Sequence, residues 1–196
     1  MLERSALKMA GKEKTTSQVV REGLEKACEE FTVRVMPLGF SRTKKMFWTR
    51  EQPHVVEFIH FHRSGSSYGA AINFSVDIRV HFGIRVLNDN CDSASLNGPF
   101  SDPTLTREGR YHLRFNAKTG STYDRCVGDL VRFVAERGEP WFHQFRDCEV
   151  LIGSSDTPLS LDSIGYLEAS IRGDADSDNI AGSRKLFGIK TPKNKT

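Results

Sequence analysis

Between residues 71 and 82 apolar and polar side chains alternate without a break. Ile72, Phe74, Val76, Ile78, Val80 and Phe82 stand against Ala71, Asn73, Ser75, Asp77, Arg79 and His81. A strand points successive side chains to opposite faces, so a period of two over this length demands a long strand with one buried face. The chain around it must build a sheet. The polar side of that sheet is the first place to look for function.

The flanking segments supply partners for this strand. Met46 to Arg50 and His54 to Arg63 also alternate, and short connections rich in turn formers, Glu51-Gln52-Pro53 and Ser64 to Gly69, join them to it. A fourth strand, Arg110 to Asn116, carries Tyr111, Leu113 and Phe115 on one side and Arg110, His112 and Arg114 on the other. Before the sheet, Val20, Leu24, Ala27, Cys28, Phe31 and Val35 recur at helical steps, and Thr15 with Gln18 forms a capping box. The spacing predicts a helix over 17–36, ended by Pro37 and Gly39. After the sheet, helices are predicted from Tyr123 to Gly138, at Pro140 to Phe145, and from Leu161 to Gly173. Residues 88–109 read as a long, partly disordered loop. With no βαβ alternation, the class is α+β: a four-stranded antiparallel meander with an N-terminal helix and C-terminal helices packed mainly on one face.

If each turn pairs the residues beside it, Arg63 meets Ala70 and Arg50 meets His54. That register puts Phe47 and Thr49 on the apolar face and builds the opposite face from Trp48, Arg50, Phe58, Asp77, Arg79 and His81, with Arg110, His112 and Arg114 added by the fourth strand. A mixture of aromatics and arginines is the composition of a binding surface, and these nine residues are the candidate binding set. His60 and His62 form an HxH pair, but this register sets His60 opposite Asn73 and leaves His81 roughly 26 Å away, too far to share a metal. Glu57 falls on the apolar face, where a carboxylate needs a cationic partner. No nucleophile, metal or phosphate motif stands out, so no catalytic residue, metal ligand or cofactor is assigned.

The net charge of +3 is unevenly spread. Residues 184–196 hold +5 and residues 1–14 hold +2, so the body, residues 15–183, carries −4. A general nucleic-acid binder concentrates its basic charge on the folded domain, and this body does not. The expected organisation is a flexible extension over 1–14, a single domain over 15–183 and a basic flexible tail over 184–196. The four cysteines stand far apart, with no CxxC pair, and are expected to be reduced thiols. No apolar run approaches the roughly 20 residues that cross a bilayer, and no signal peptide is legible, which predicts a cytoplasmic protein with no membrane partner.

The order of features resembles a known family. A helix closing in Pro37-Leu38-Gly39-Phe40, basic residues at Arg42, Lys44 and Lys45, then Phe47-Trp48-Thr49-Arg50, Phe61-His62-Arg63-Ser64 and Ile72-Asn73-Phe74 together are similar to the bacterial domain of unknown function 4304, over roughly residues 20–146. His62 stands where that pattern has Gln. The resemblance implies an α+β fold and no activity. The functional expectation is a non-catalytic interaction domain engaging a protein partner or a second copy of itself. Nucleic-acid binding, on Arg50, Arg79, Arg110 and Arg114 beside Trp48 and Phe58, and metal-assisted hydrolysis, on His60, His62 and Glu57 or a residue from a loop, are the alternatives.

Overall fold

The computed structural model describes residues 13–63, 74–102, 110–153 and 159–190. Helix α1 (Thr16–Val35) opens on the capping box, with the Thr15 side chain accepting from the Gln18 N–H and Gln18 answering to the Thr15 N–H. Its buried stripe is the one its spacing predicts: Val20, Leu24, Ala27, Cys28, Phe31 and Val35. A short 3₁₀ turn (Met36–Leu38) follows, and Gly39 takes the left-handed conformation at φ 87° that glycine adopts without strain.

Among the described residues six strands then form an antiparallel sheet: β1 (Ser41–Lys44), β2 (Phe47–Glu51), β3 (Val55–Arg63), β4 (Ser75–Val86), β5 (Leu96–Phe100) and β6 (Arg114–Asn116). Their order is β1-β2-β3-β4-β5, with β6 pairing the first residues of β4. The α+β class holds, and the strand count rises from four to six. β1 hides in a basic stretch. β5 lies within the segment read as a loop, because Asn97, Gly98 and Pro99 interrupt any period of two and only pairing with β4 makes that segment extended. Residues 71–73 and 103–109 lie outside the described residues, as do 1–12 and 191–196, so most of the expected N-terminal extension and the end of the expected tail fall there.

The register differs from the one the turns suggest. Arg63 pairs with Ile78, not Ala70, so the β3–β4 hairpin closes eight residues later along β4, and Ser75 to Asp77 pair with β6 instead. A shift of eight is even, so it preserves which side chains share a face. Between β2 and β3 the correction is odd: Phe47 pairs with His60 and Trp48 with Ile59. Every side chain of β2 therefore changes sides.

One sheet face is covered by α1, α2 (Tyr123–Phe133) and α3 (Glu139–Gln144). Trp48, fully buried there, packs its ring 4.8 Å from Phe31 and 4.5 Å from Phe61 and donates its indole N–H to the Thr32 hydroxyl at 2.8 Å. Phe82 meets Phe133 and Phe142 on the same side. Gly138 does not end a helix as expected. A π turn (Val134–Gly138) leads straight into α3, and the glycine is small because a Cβ there would lie 2.8 Å from the Phe82 ring.

The remaining helices among the described residues are α4 (Cys148–Gly153), α5 (Leu161–Arg172) and α6 (Ser177–Phe187). Helix α6 extends into the stretch expected to be a flexible tail. The second face of the sheet is therefore not free of helices, although α1, α2 and α3 cover the first. Phe58 sits on Gly83, where a Cβ would come within 2.2 Å of its ring, and Phe187 of α6 closes over Phe58 and Phe47 at 5.2 and 5.3 Å. A buried polar knot fastens the same helices. Arg85 donates to the Ser183 hydroxyl and to the carbonyls of Ser93 and Asp89, while the Asp89 carboxylate accepts from Ser95 and Ser163 at 2.8 Å each.

Candidate functional site

The closure of the second face stops halfway along the sheet. Val56, Phe58 and Arg85 are buried beneath α6 and its surroundings, whereas His60, His62, Asp77 and His81 are half-buried and Arg79 and Arg114 are exposed. The open half is built by the last turn of β3, the first half of β4, the end of β5 and the start of β6. Phe100, 53% exposed, lies at its border with its ring parallel to His81 at 5.7 Å.

Three imidazoles form its centre. The corrected register sets His60 directly opposite His81, and His62 opposite Arg79. The His60 and His62 rings lie 3.8 Å apart between centroids, and His62 and His81 lie 4.6 Å apart edge to face. The distance that seemed to separate His81 from the HxH pair came entirely from the eight-residue register error. The rings meet tilted or edge-on, and among the described residues no three His, Cys, Asp or Glu side chains converge to hold a metal ion.

Burial dominates the electrostatics of this cluster. It lowers the pKa of His60 to about 4, with the neighbouring His62 and His81 adding to the shift. Burial also lowers His62 and His81, helped by the positive charge of Arg79. All three rings are neutral at pH 7. Asp77 is raised by burial against the opposing pull of Arg114, Arg79 and His112. The patch thus presents cationic guanidinium groups around neutral aromatic and imidazole rings, with one partly buried carboxylate beneath.

Of the nine residues chosen from sequence, Asp77, Arg79, His81 and Arg114 come together here. His112 is half-buried beside them, its backbone N–H bonded to Asp129 at 2.6 Å, and Arg110 is exposed just before it, its carbonyl accepting from Arg132. Three residues do not belong. Phe58 is buried under Phe187. Trp48 and Arg50 lie on the helix-covered face, because β2 pairs one parity away from the assumed register.

That same correction explains Glu57. Arg50 is its cross-strand neighbour and donates Nε to the Glu57 carboxylate, while the guanidinium also contacts Glu139 of α3 at 3.0 Å and the Leu38 carbonyl at 2.6 Å. Glu57 sits on the opposite side of the sheet from His60 and His62, so the three form no common site. Sequence reasoning missed Phe100 and set aside His60 and His62. The histidines were legible as a face once the strands paired correctly, but Phe100 follows a Gly-Pro pair and carries no periodic signal.

No family model matches the chain, and no curated protein or solved structure matches it either. No helix among the described residues is long and apolar enough to cross a membrane.

Proposed function

We propose that this protein is an interaction domain whose open half-sheet docks a protein partner bearing carboxylates. The observation that carries the reading is the juxtaposition of exposed Arg79 and Arg114 with the His60, His62 and His81 rings and the exposed Phe100 ring. Arginine and aromatic groups are enriched where interfaces concentrate their energy. A second copy of the chain is a poorer occupant, since a two-fold contact would bring together two patches of the same predominantly positive charge. Pairing along the sheet edges is also disfavoured. β1 ends the sheet on one side with Arg42 and Lys44, and β5 carries Pro99, which has no N–H to offer.

Nucleic acid is the second reading, because the same arginines and rings would suit phosphates and bases. One titration separates the two. A labelled peptide alternating Glu and Tyr, its Lys-for-Glu counterpart and an oligothymidylate are each titrated by fluorescence anisotropy at two salt concentrations. The acidic peptide is expected to bind saturably, the basic one not at all, and Arg79→Ala with Arg114→Ala to weaken binding at least tenfold. Preference for the oligonucleotide with a steep salt dependence would move the assignment to nucleic acid. Equal binding by the double variant would remove this surface from consideration.

A further inference from the structure

On the helix-covered side, at the rim of the sheet, a cavity of about 310 Å³ opens between the first turns of α1, the β1–β2 turn and the end of β3. Three cations line it: Arg21 from α1, Lys45 from the turn and Arg63 from the last position of β3. Leu24 and Met46 give it an apolar floor, and Ser17 and Gln18 bring the positive end of the 20-residue helix to its wall. Its volume is at the lower end of those that hold small molecules.

Among the described residues none of these three cations is in an ion pair, although Glu25 lies near enough to Lys45 to feel its charge. The two nearest acids of α1 are committed elsewhere. Glu22 pairs with Lys14 at 2.6 Å, and Glu25 is held by both terminal nitrogens of Arg42 at 2.6 and 3.0 Å. Arg63 also keeps its Nε buried with no hydrogen-bond partner among those residues. That nitrogen is enclosed, whereas the half-buried Arg63 side chain lines the cavity with its other atoms, and three cations on one cavity wall with no ion pair among the described residues favour an anion there.

We infer that this cavity is a binding site for a small phosphate monoester with an apolar body. Three convergent cations match a dianion better than a single carboxylate, and Arg63 offers the planar donor fork that phosphate oxygens accept. The floor of Leu24 and Met46 would take the apolar part. The site lies on the opposite side of the sheet from the docking patch and does not depend on it.

The test uses the full chain and isothermal titration with phenyl phosphate, inorganic phosphate, benzoate and phenol. Phenyl phosphate is expected to bind at least tenfold tighter than each of the others. Arg63→Gln and, separately, the exposed Lys45→Gln are each expected to weaken it about tenfold, while Arg137→Gln, an exposed arginine remote from the cavity, leaves it unchanged. Thermal melts establish that the variants fold, and Lys45→Gln carries the test if Arg63→Gln does not. Tighter binding of benzoate would overturn the phosphate assignment. Phenyl phosphate binding that is absent, no tighter than that of inorganic phosphate, or insensitive to a folded cavity variant would overturn the site.

Discussion

At the scale of single residues, the molecule spends its polar groups in two different ways. Arg50 and Glu57 are buried partners, and Arg50 also stacks over Phe40 at 4.4 Å, so the pair is built into the packing between β2, β3 and α3. Arg50→Met would leave the Glu57 carboxylate buried without its cation, at a cost of about 3–5 kcal/mol in urea unfolding. Arg50→Met with Glu57→Leu is expected to recover much of that loss, since an apolar pair of similar volume has no charge to desolvate. The histidines are different, because an imidazole ordinarily titrates near neutrality and burial moves these three away from it. The folded state holds all three below the ordinary histidine pKa, so the unfolded chain binds more protons between about pH 6.5 and pH 4. Stability present at pH 7 is therefore lost as the pH falls through this window. Arg79 faces the cluster from β4 and makes protonation harder still, while Asp77, raised by burial, opposes the trend at the acidic end. Discounted for solvent screening, the loss is on the order of 1–2 kcal/mol by pH 4.5. Urea unfolding at pH 7 and 4.5 checks it: His60→Phe with His62→Phe should flatten the difference, and an unchanged difference would place the effect elsewhere.

At the scale of elements, α6 decides how much of the second face stays open. Its hold includes one aromatic, Phe187, seated on Phe47 and Phe58, the Arg85–Asp89 knot to which Ser183 contributes, the Arg184–Glu51 ion pair and the bonds of Asn179 and Asp176 to Asn88. Phe187→Ala should cost about 3 kcal/mol and raise hydrogen exchange across Ser177–Phe187 well before the rest of the fold opens. Uniform exchange along the chain would mean that α6 is no separate unit. This helix was also the hardest element to read. Its sequence, SDNIAGSRKLF, has few apolar residues and ends in the basic run that resembles a tail. In contrast, α1 was legible residue by residue, because six apolar positions at helical steps and a capping box leave one solution. Helix α5 lies between these cases. Its span and its Gly173 cap follow from sequence, but of the apolar residues at helical steps, Leu161, Ile164, Leu167 and Ile171, only Leu167 is buried and Ile164 packs partly against the core: Leu161 is 86% exposed, and Ser163 and Ser170 are buried beside Leu167. Small hydroxyls allow close packing against the sheet, and periodicity in apolar residues cannot show that.

At the scale of the whole molecule, the faces of β3 and β4 were legible and the contacts across them were not. Alternation fixes which side a residue takes, and any even slip preserves it, so Asp77, Arg79 and His81 were placed on the right face by a register eight residues wrong. An odd slip in β2 was enough to turn Trp48 and Arg50 inward. The result is a sheet with one face closed by α1, α2 and α3 and the other closed only where α5 and α6 reach. What they leave uncovered is the basis of the functional account. Its most direct test is a ¹H–¹⁵N correlation map of the labelled protein titrated with the Glu/Tyr peptide. The account predicts shifts that cluster at His60, His62, Arg79, His81, Phe100 and Arg114; shifts concentrated elsewhere, or none at saturating peptide, would contradict it.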